Sequence, residues 1–168
     1  MVKCTVFGSS LGWCGLVGAS DGIVKVFIAV PEEAQVMAEI VRCFPGSVSD
    51  DDWFRQEVCE LTDYLCGKKT KFSFGLDYGA ATLFQRRVWR EASAIPYGCT
   101  KSYGWLARKA GRPGAARAVG TALGRNPFPV VVPCHRVVPA GGGLGGFSAP
   151  GGVALKKKLL QLEGALRR

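Results

Sequence analysis

The chain changes chemical character near residue 78, and this change limits the folds open to it. Residues 1–78 hold seven Lys/Arg and eleven Asp/Glu, a balance of −4. Residues 79–168 hold fifteen Lys/Arg and only two acids, Glu91 and Glu163, a balance of +13. A solvated surface normally mixes both signs. A half this one-sided predicts a polyanionic partner, and nucleic acid is the commonest. The length of 168 residues suits one domain or two small ones, and 48% hydrophobic content is ample for a core. The composition shift sets the predicted boundary, with domains at 1–78 and 79–168. No apolar run approaches the ~20 residues of a membrane-spanning helix. Met1-Val2-Lys3-Cys4 opens without the apolar core of a signal peptide. A cytoplasmic protein with no membrane partner is expected, nucleoid-associated in a prokaryote.

The first half reads as a sheet with helices. Cys4–Phe7, Gly12–Val17 and Ile23–Ala29 are predicted strands, separated by turn residues at 9–12 and 20–22, which gives an antiparallel meander. Residues 32–44 place Val36, Met37, Ile40, Val41 and Phe44 at helical spacing, between Pro31 and Pro45-Gly46. Asp50-Asp51-Asp52 precedes a second helix carrying Phe54, Val58, Leu61 and Leu65. Acids there offset the helix dipole and are not read as a metal site. Residues 68–79 are expected to form a strand and linker.

The second half reads as mainly helical. Phe84, Val88 and Trp89 share a face of the segment 82–92. Two short helices, 102–110 and 115–123, flank Gly111-Arg112-Pro113-Gly114 and form a helix-turn-helix pattern. The second of them is almost entirely small residues, which permits close approach to a groove. Arg117 is its one long arm. A C-terminal helix at 152–166 is expected to face Leu155, Leu159, Leu160 and Leu162 inward. Glu163 stands there among Lys156, Lys157, Lys158, Arg167 and Arg168, and reads as an ordinary surface charge or as part of a site.

The candidate chemistry lies at Pro133-Cys134-His135-Arg136, which holds the only histidine of the chain. The preceding Pro129-Val130-Val131-Val132 reads as a short buried strand, placing Cys134 where strand gives way to loop. A neighbouring base or positive charge favours the thiolate, the nucleophilic form. An inert core cysteine is the competing reading. Seven cysteines without a Cys-x-x-Cys spacing argue against a disulfide framework or zinc ribbon. Gly141–Gly146 lacks the strand-to-helix context of a dinucleotide fingerprint and lets backbone approach a ligand. A cysteine peptidase usually takes its base from a distant segment, and a basic helix-turn-helix half does not suit one.

Several stretches together resemble the O6-alkylguanine-DNA alkyltransferases. They are Phe84-Gln85-Arg86-Arg87-Val88-Trp89, Ile95-Pro96-Tyr97-Gly98, Ser102-Tyr103-Gly104-x-Leu106-Ala107, Ala116-Arg117-Ala118-Val119-Gly120, Asn126-Pro127 and Pro133-Cys134-His135-Arg136-Val137. The resemblance runs from about residue 82 to Glu163 and is loose before residue 78. It implies an α+β protein: a ribonuclease-H-like N-terminal domain with an antiparallel sheet, and a mainly helical, winged helix-turn-helix-like C-terminal domain. It implies irreversible transfer of an alkyl group from O6-alkylguanine, and from O4-alkylthymine, in flipped-out DNA to Cys134. His135 would act as base through water, Glu163 would orient it, and Tyr103 would donate a proton to the guanine. Arg117 would enter the base stack, with Ala116, Ala118 and Gly120 against DNA and Asn126 as hinge to the cysteine segment. Val137, Phe147 and Ser148 would form the base pocket. Some members of the family hold a zinc ion in the N-terminal domain on cysteines and histidines; this chain has no histidine there and Cys4 lacks matching partners, so no metal and no cofactor are expected, and the protein would act as a monomer on double-stranded DNA. Two departures stand out: Phe147 replaces an aromatic with a hydroxyl, and the Ser148–Gly152 loop is about two residues longer than the family's. A non-catalytic damage-binding relative would lack the cysteine present here.

Overall fold

In a computed structural model, described here for residues 1–79 and 81–166, the chain divides into two compact units, Met1–Gly79 and Ala80–Arg168. In the first unit β1 (Lys3–Ser9), β2 (Gly12–Ala19) and β3 (Gly22–Val30) form an antiparallel meander. Helix α1 (Glu33–Cys43) follows, then a two-residue strand β4 (Val48–Ser49) and helix α2 (Arg55–Leu65). The sheet order is β3-β2-β1-β4, and β4 runs parallel to β1. The sheet is therefore mixed rather than antiparallel, because α1 carries the chain back before β4 pairs.

Helix α1 packs on the sheet through Val36 and Ile40, which join Cys4, Val17 and Val30 in one core. Met37 and Val41 were expected on the same face but are exposed at 38% and 59%. The approach of α1 to β2 is close because residue 15 is glycine. A Cβ there would lie 2.5 Å from Val36 Cγ1. The acidic run does more than offset a dipole: Asp50 accepts from Lys3 at 2.7 Å and Asp51 from Thr5 at 2.7 Å, tying the entry of α2 to β1. Residues 68–79 form no strand. Leu76 makes one isolated bridge to Ile23, while Glu60 takes the Ser73 backbone N–H at 2.9 Å that a ladder would have needed.

In the second unit, helices α3 (Leu83–Ser93), α4 (Tyr103–Lys109) and α5 (Ala116–Gly124) pack against one another. Thr82 and Gln85 form a reciprocal capping box that starts α3, and Ser102 caps α4 by accepting from Trp105 N at 3.1 Å. The Trp89 indole donates to the Ala122 carbonyl at 2.9 Å and meets Phe128 edge-on, fixing α3 against α5. Strand β5 (Lys101–Ser102) pairs in parallel with β6 (Val137–Val138), and α6 (Gly152–Leu162) closes the unit. Helix α6 stops at Leu162, short of the expected Leu166, and Glu163 is its C-cap. Leu155, Leu159 and Leu160 are buried, whereas Leu162 is half-buried. Arg167 and Arg168 lie outside the described residues. Among the described residues no helix is long and apolar enough to cross a membrane.

The close contact of α1 with β2 gives a test of the first unit. Gly15→Val should cost about 1–3 kcal/mol by overpacking against Val36, read as a lower midpoint in urea unfolding at unchanged slope.

Candidate active site

The segment before the cysteine is not a strand. Val132 N donates to Phe128 O at 2.9 Å, closing a turn, and Pro129 and Val132 make only an isolated bridge. Val130 sits at φ +74, in the left-handed region that a β-branched residue rarely enters. Such a conformation costs on the order of 1–3 kcal/mol and persists only when the surroundings hold it. Asn126 supplies part of that hold. Its Nδ2 donates to Val132 O at 3.0 Å and lies 3.5 Å from Cys134 Sγ, while its Oδ1 accepts from Phe128 N at 2.9 Å.

Cys134, His135 and Arg136 then form a single 3-10 turn. Side chains on such a turn fan out rather than alternate, so neighbours in sequence serve different surroundings. Cys134, 8% exposed, lines a cleft of about 740 Å³. Burial pushes its thiol pKa up, while the Asn126 hydrogen bond and the charge of Lys156 pull it back down. His135 points into the interior, with Nε2 2.7 Å from Glu163 Oε1 and both side chains fully buried. Nε2 donating to a carboxylate makes Nδ1 the basic nitrogen. Burial holds the His135 pKa below its ordinary value, against the opposing pull of Glu163, so the ring is neutral at pH 7.

Glu163 is therefore no surface charge. It accepts from Arg136 Nε at 2.9 Å, from the other guanidinium nitrogen Nη2 at 2.9 Å, and from Gly98 N at 3.1 Å. Arg136 Nη1 reaches Ile95 O at 2.6 Å. Gly98 must be glycine: its φ is +77, and a Cβ would stand 2.9 Å from the Glu163 carbonyl oxygen. Tyr97 adds a hydroxyl bond to Leu162 O at 3.2 Å. The Ile95–Gly98 turn thus anchors the far end of α6 to the cysteine turn.

The cleft gathers most of the expected residues. Tyr103 from α4, Ala116, Arg117 and Gly120 from α5, and Phe147 and Ser148 from the loop before α6 all line it with Cys134. Arg117 is exposed at its rim. Burial, and then the nearby Cys134, raise the Tyr103 phenol pKa, which keeps it protonated near neutrality. Ala118 is exposed and does not line the cleft. Val137 is buried, and its carbonyl accepts from Lys156 Nζ at 2.7 Å. The seven cysteines are free thiols. Among the described residues no group of three or more His, Cys, Asp or Glu is placed to hold a metal.

Sequence reasoning missed Arg136 as a partner of Glu163, Gly98 as a donor, and Lys156. The signal for Lys156 was present: it precedes Leu159 and Leu160 by three and four residues, which is the inward phase of α6. Removing the buried carboxylate should be costly because the Arg136 guanidinium would lose its counter-charge. Glu163→Gln is expected to lose about 3–5 kcal/mol, measured by chemical denaturation of the purified protein.

Residues 83–165 match the family profile described as 6-O-methylguanine DNA methyltransferase, DNA binding domain. The methylated-DNA–protein-cysteine methyltransferase of Mycobacterium leprae is 39% identical over 97% of this chain and 93% of its own length. That of Methanosarcina acetivorans is 37% identical over 95% of this chain and 97% of its own. Among solved structures, Mycobacterium tuberculosis OGT in complex with DNA superposes with a TM-score of 0.82 at 36% identity, covering 97% of this chain and 93% of that one. With that identity spread over nearly the whole of both chains, this chain belongs to the methylated-DNA–protein-cysteine methyltransferase family.

Proposed function

We infer that this chain repairs DNA by direct reversal, taking the alkyl group of O6-alkylguanine, and of O4-alkylthymine, onto Cys134. The observation that carries this reading is the convergence in one cleft of a buried thiol, a protonated phenol and an exposed arginine on a helix of small residues. The thiol proton passes through a bridging water to Nδ1 of His135, whose other nitrogen is held by Glu163. The thiolate, a soft nucleophile, forms a bond to the alkyl carbon as the carbon–O6 bond breaks. The electron pair of that bond goes to the guanine, a poor leaving group as an anion, and Tyr103 donates a proton to it. The product is a thioether on Cys134. Thioethers are not hydrolysed, so each protein acts once.

The cleft takes a base turned out of the duplex, and the exposed Arg117 fills the vacated stack. Helices α4 and α5 serve as the helix-turn-helix, with Ala116, Ala118 and Gly120 letting α5 approach the groove. Asn126 is the hinge that ties this element to the cysteine turn. Phe147 and Ser148 are the pocket wall for the base, and Val137, buried and not itself lining the cleft, backs it from the end of the cysteine turn. The β5–β6 pair with the glycine-rich loop is read as the wing, and the β3-β2-β1-β4 order of the first unit as ribonuclease-H-like. The protein works as a cytoplasmic monomer on double-stranded DNA, without metal or cofactor.

Incubation with an oligonucleotide carrying O6-methylguanine should add one methyl, about 14 Da, to the Cys134 peptide and stop at one per protein. Cys134→Ser should accept none, and an unmodified peptide from folded wild-type protein would sink the reading. Arg117→Ala should slow transfer from duplex DNA by at least about tenfold while leaving transfer from the free modified base unchanged. Affinity for DNA should fall about a hundredfold between about 50 and about 200 mM salt if four phosphates are neutralised, measured by fluorescence anisotropy.

A further inference from the structure

The helix read as meeting the groove carries little charge of its own. Between Ala116 and Gly124 its single ionisable side chain is Arg117, and that residue is assigned to the base stack. Phosphate neutralisation in a half-chain with a balance of +13 therefore falls to other cations, and some of these are ordered. Trp105 lies half-buried on α4, at the one position that the family-like stretch Ser102–Ala107 leaves open. Lys101 Nζ stands 5.4 Å from the centre of its ring and Lys109 Nζ 5.7 Å. The two lysines lie one helical turn before and one turn after Trp105, so they reach the ring from opposite ends of α4.

The same arrangement continues past α4. Arg112, in the turn between α4 and α5, holds its guanidinium carbon 4.9 Å from the centre of the Phe84 ring on α3. Arg87 Nη1 reaches that turn from α3, 3.9 Å from where a Cβ on Gly111 would stand. Four exposed cations and two half-buried rings thus form one track over α4, the turn and α3. Among the described residues none of the four is in an ion pair. Of the two acids in this half, Glu91 pairs with Arg90 and Glu163 is buried. At the opposite end, Lys101 pairs across the β5–β6 ladder with Val137, which directly follows the cysteine turn.

Like charges gathered without carboxylates repel one another. The rings offset this, because a cation over an aromatic face is attracted by its quadrupole. A ring beneath a long side chain also holds it extended, so less rotamer freedom is lost when a ligand arrives. A surface of this kind fits a regular polyanion, and DNA is the polyanion of the repair reading. We propose that the track from Lys101 to Arg87 is a second contact with DNA: it grips the phosphate backbone flanking the lesion, outside the cleft and off helix α5, with Trp105 positioning its lysines. It rests on the repair reading, in which DNA is the partner. Contacts to phosphate carry no sequence information, so the track adds affinity for any duplex and none for the lesion itself.

Affinity for a duplex oligonucleotide carrying O6-methylguanine is measured by fluorescence anisotropy between about 50 and about 200 mM salt. If each lysine neutralises one phosphate, Lys101→Gln combined with Lys109→Gln should lower the slope of log affinity against log salt by about 2. Affinity would then fall about tenfold over this range rather than about a hundredfold. The control removes the same charge elsewhere: Lys157→Gln with Lys158→Gln, both exposed on α6, should change the slope by less than one phosphate contact, about 0.5 at most. Trp105→Leu should weaken binding about fivefold at the lower salt, and Trp105→Phe, which keeps a ring, about twofold or less. An unchanged slope in the Lys101 and Lys109 variant, or an equal loss in the α6 control, would overturn the proposal. Equal binding by Trp105→Leu and wild type would remove Trp105 from it. Both track lysines are exposed, so the lysine pair decides if Trp105→Leu does not fold. Wild-type protein that binds with the full slope but takes no methyl would refute the transfer reading instead, and the lysine pair would still decide the track.

Discussion

Glu163 lies just past the end of α6, and donors from the cysteine turn and from the Ile95–Gly98 turn converge on its buried carboxylate. His135 takes one oxygen, Arg136 spans both, and Gly98 gives a backbone N–H. Each partner contributes something the others lack. The guanidinium supplies the charge that keeps a buried carboxylate tolerable. The imidazole gains a fixed tautomer and orientation. The glycine N–H brings a third segment of chain to the same point. Alteration at this residue would therefore be felt at the thiol, although Glu163 itself does not touch it.

Around this anchor the second unit solves a packing problem with chemical consequences. The thiol must be held in a dry place to be specific and yet reach a ligand. The turn at Cys134–Arg136 achieves this by sending Cys134 to the cleft and His135 and Arg136 into the interior. The strained Val130 and the bridging Asn126 fix the approach to that turn. Burial raises the thiol pKa and lowers those of His135 and Lys156. The resting site is thereby close to neutral thiol and neutral imidazole, with one ammonium nearby. Proton movement is left for the moment a ligand arrives.

The charge split, the helix of small residues and the Pro133–Arg136 motif were all legible along the chain, because they are properties of composition and local order. So was most of the cleft: Tyr103, Arg117, Phe147 and Ser148 came from local motifs that the fold brings together around Cys134. Other readings failed for identifiable reasons. The apolar run at 129–132 looked like a strand because apolar runs of that length are ambiguous, and the turn made by Val132 and Phe128 is invisible to periodicity. The sheet looked antiparallel because β4 is two residues long and pairs across sequence. Residues 68–79 lost their strand because Ser73 donates its backbone N–H to the Glu60 carboxylate instead of to a ladder.

The sequence by itself determined where the chemistry resides and what it meets. A lone histidine beside a cysteine, in a half-chain with a balance of +13, points to an activated thiol facing a polyanion whatever the fold. Only the tertiary structure decided which charges matter. Glu163 and Lys156 sit in the same C-terminal stretch as the exposed Lys157 and Lys158; helical phase turns Lys156 inward, but composition alone separates neither from the surface lysines. Burial separates them: at 6% and 0% exposure a charge must be bonded or neutralised, and the partners it finds are set by chain segments far away in sequence.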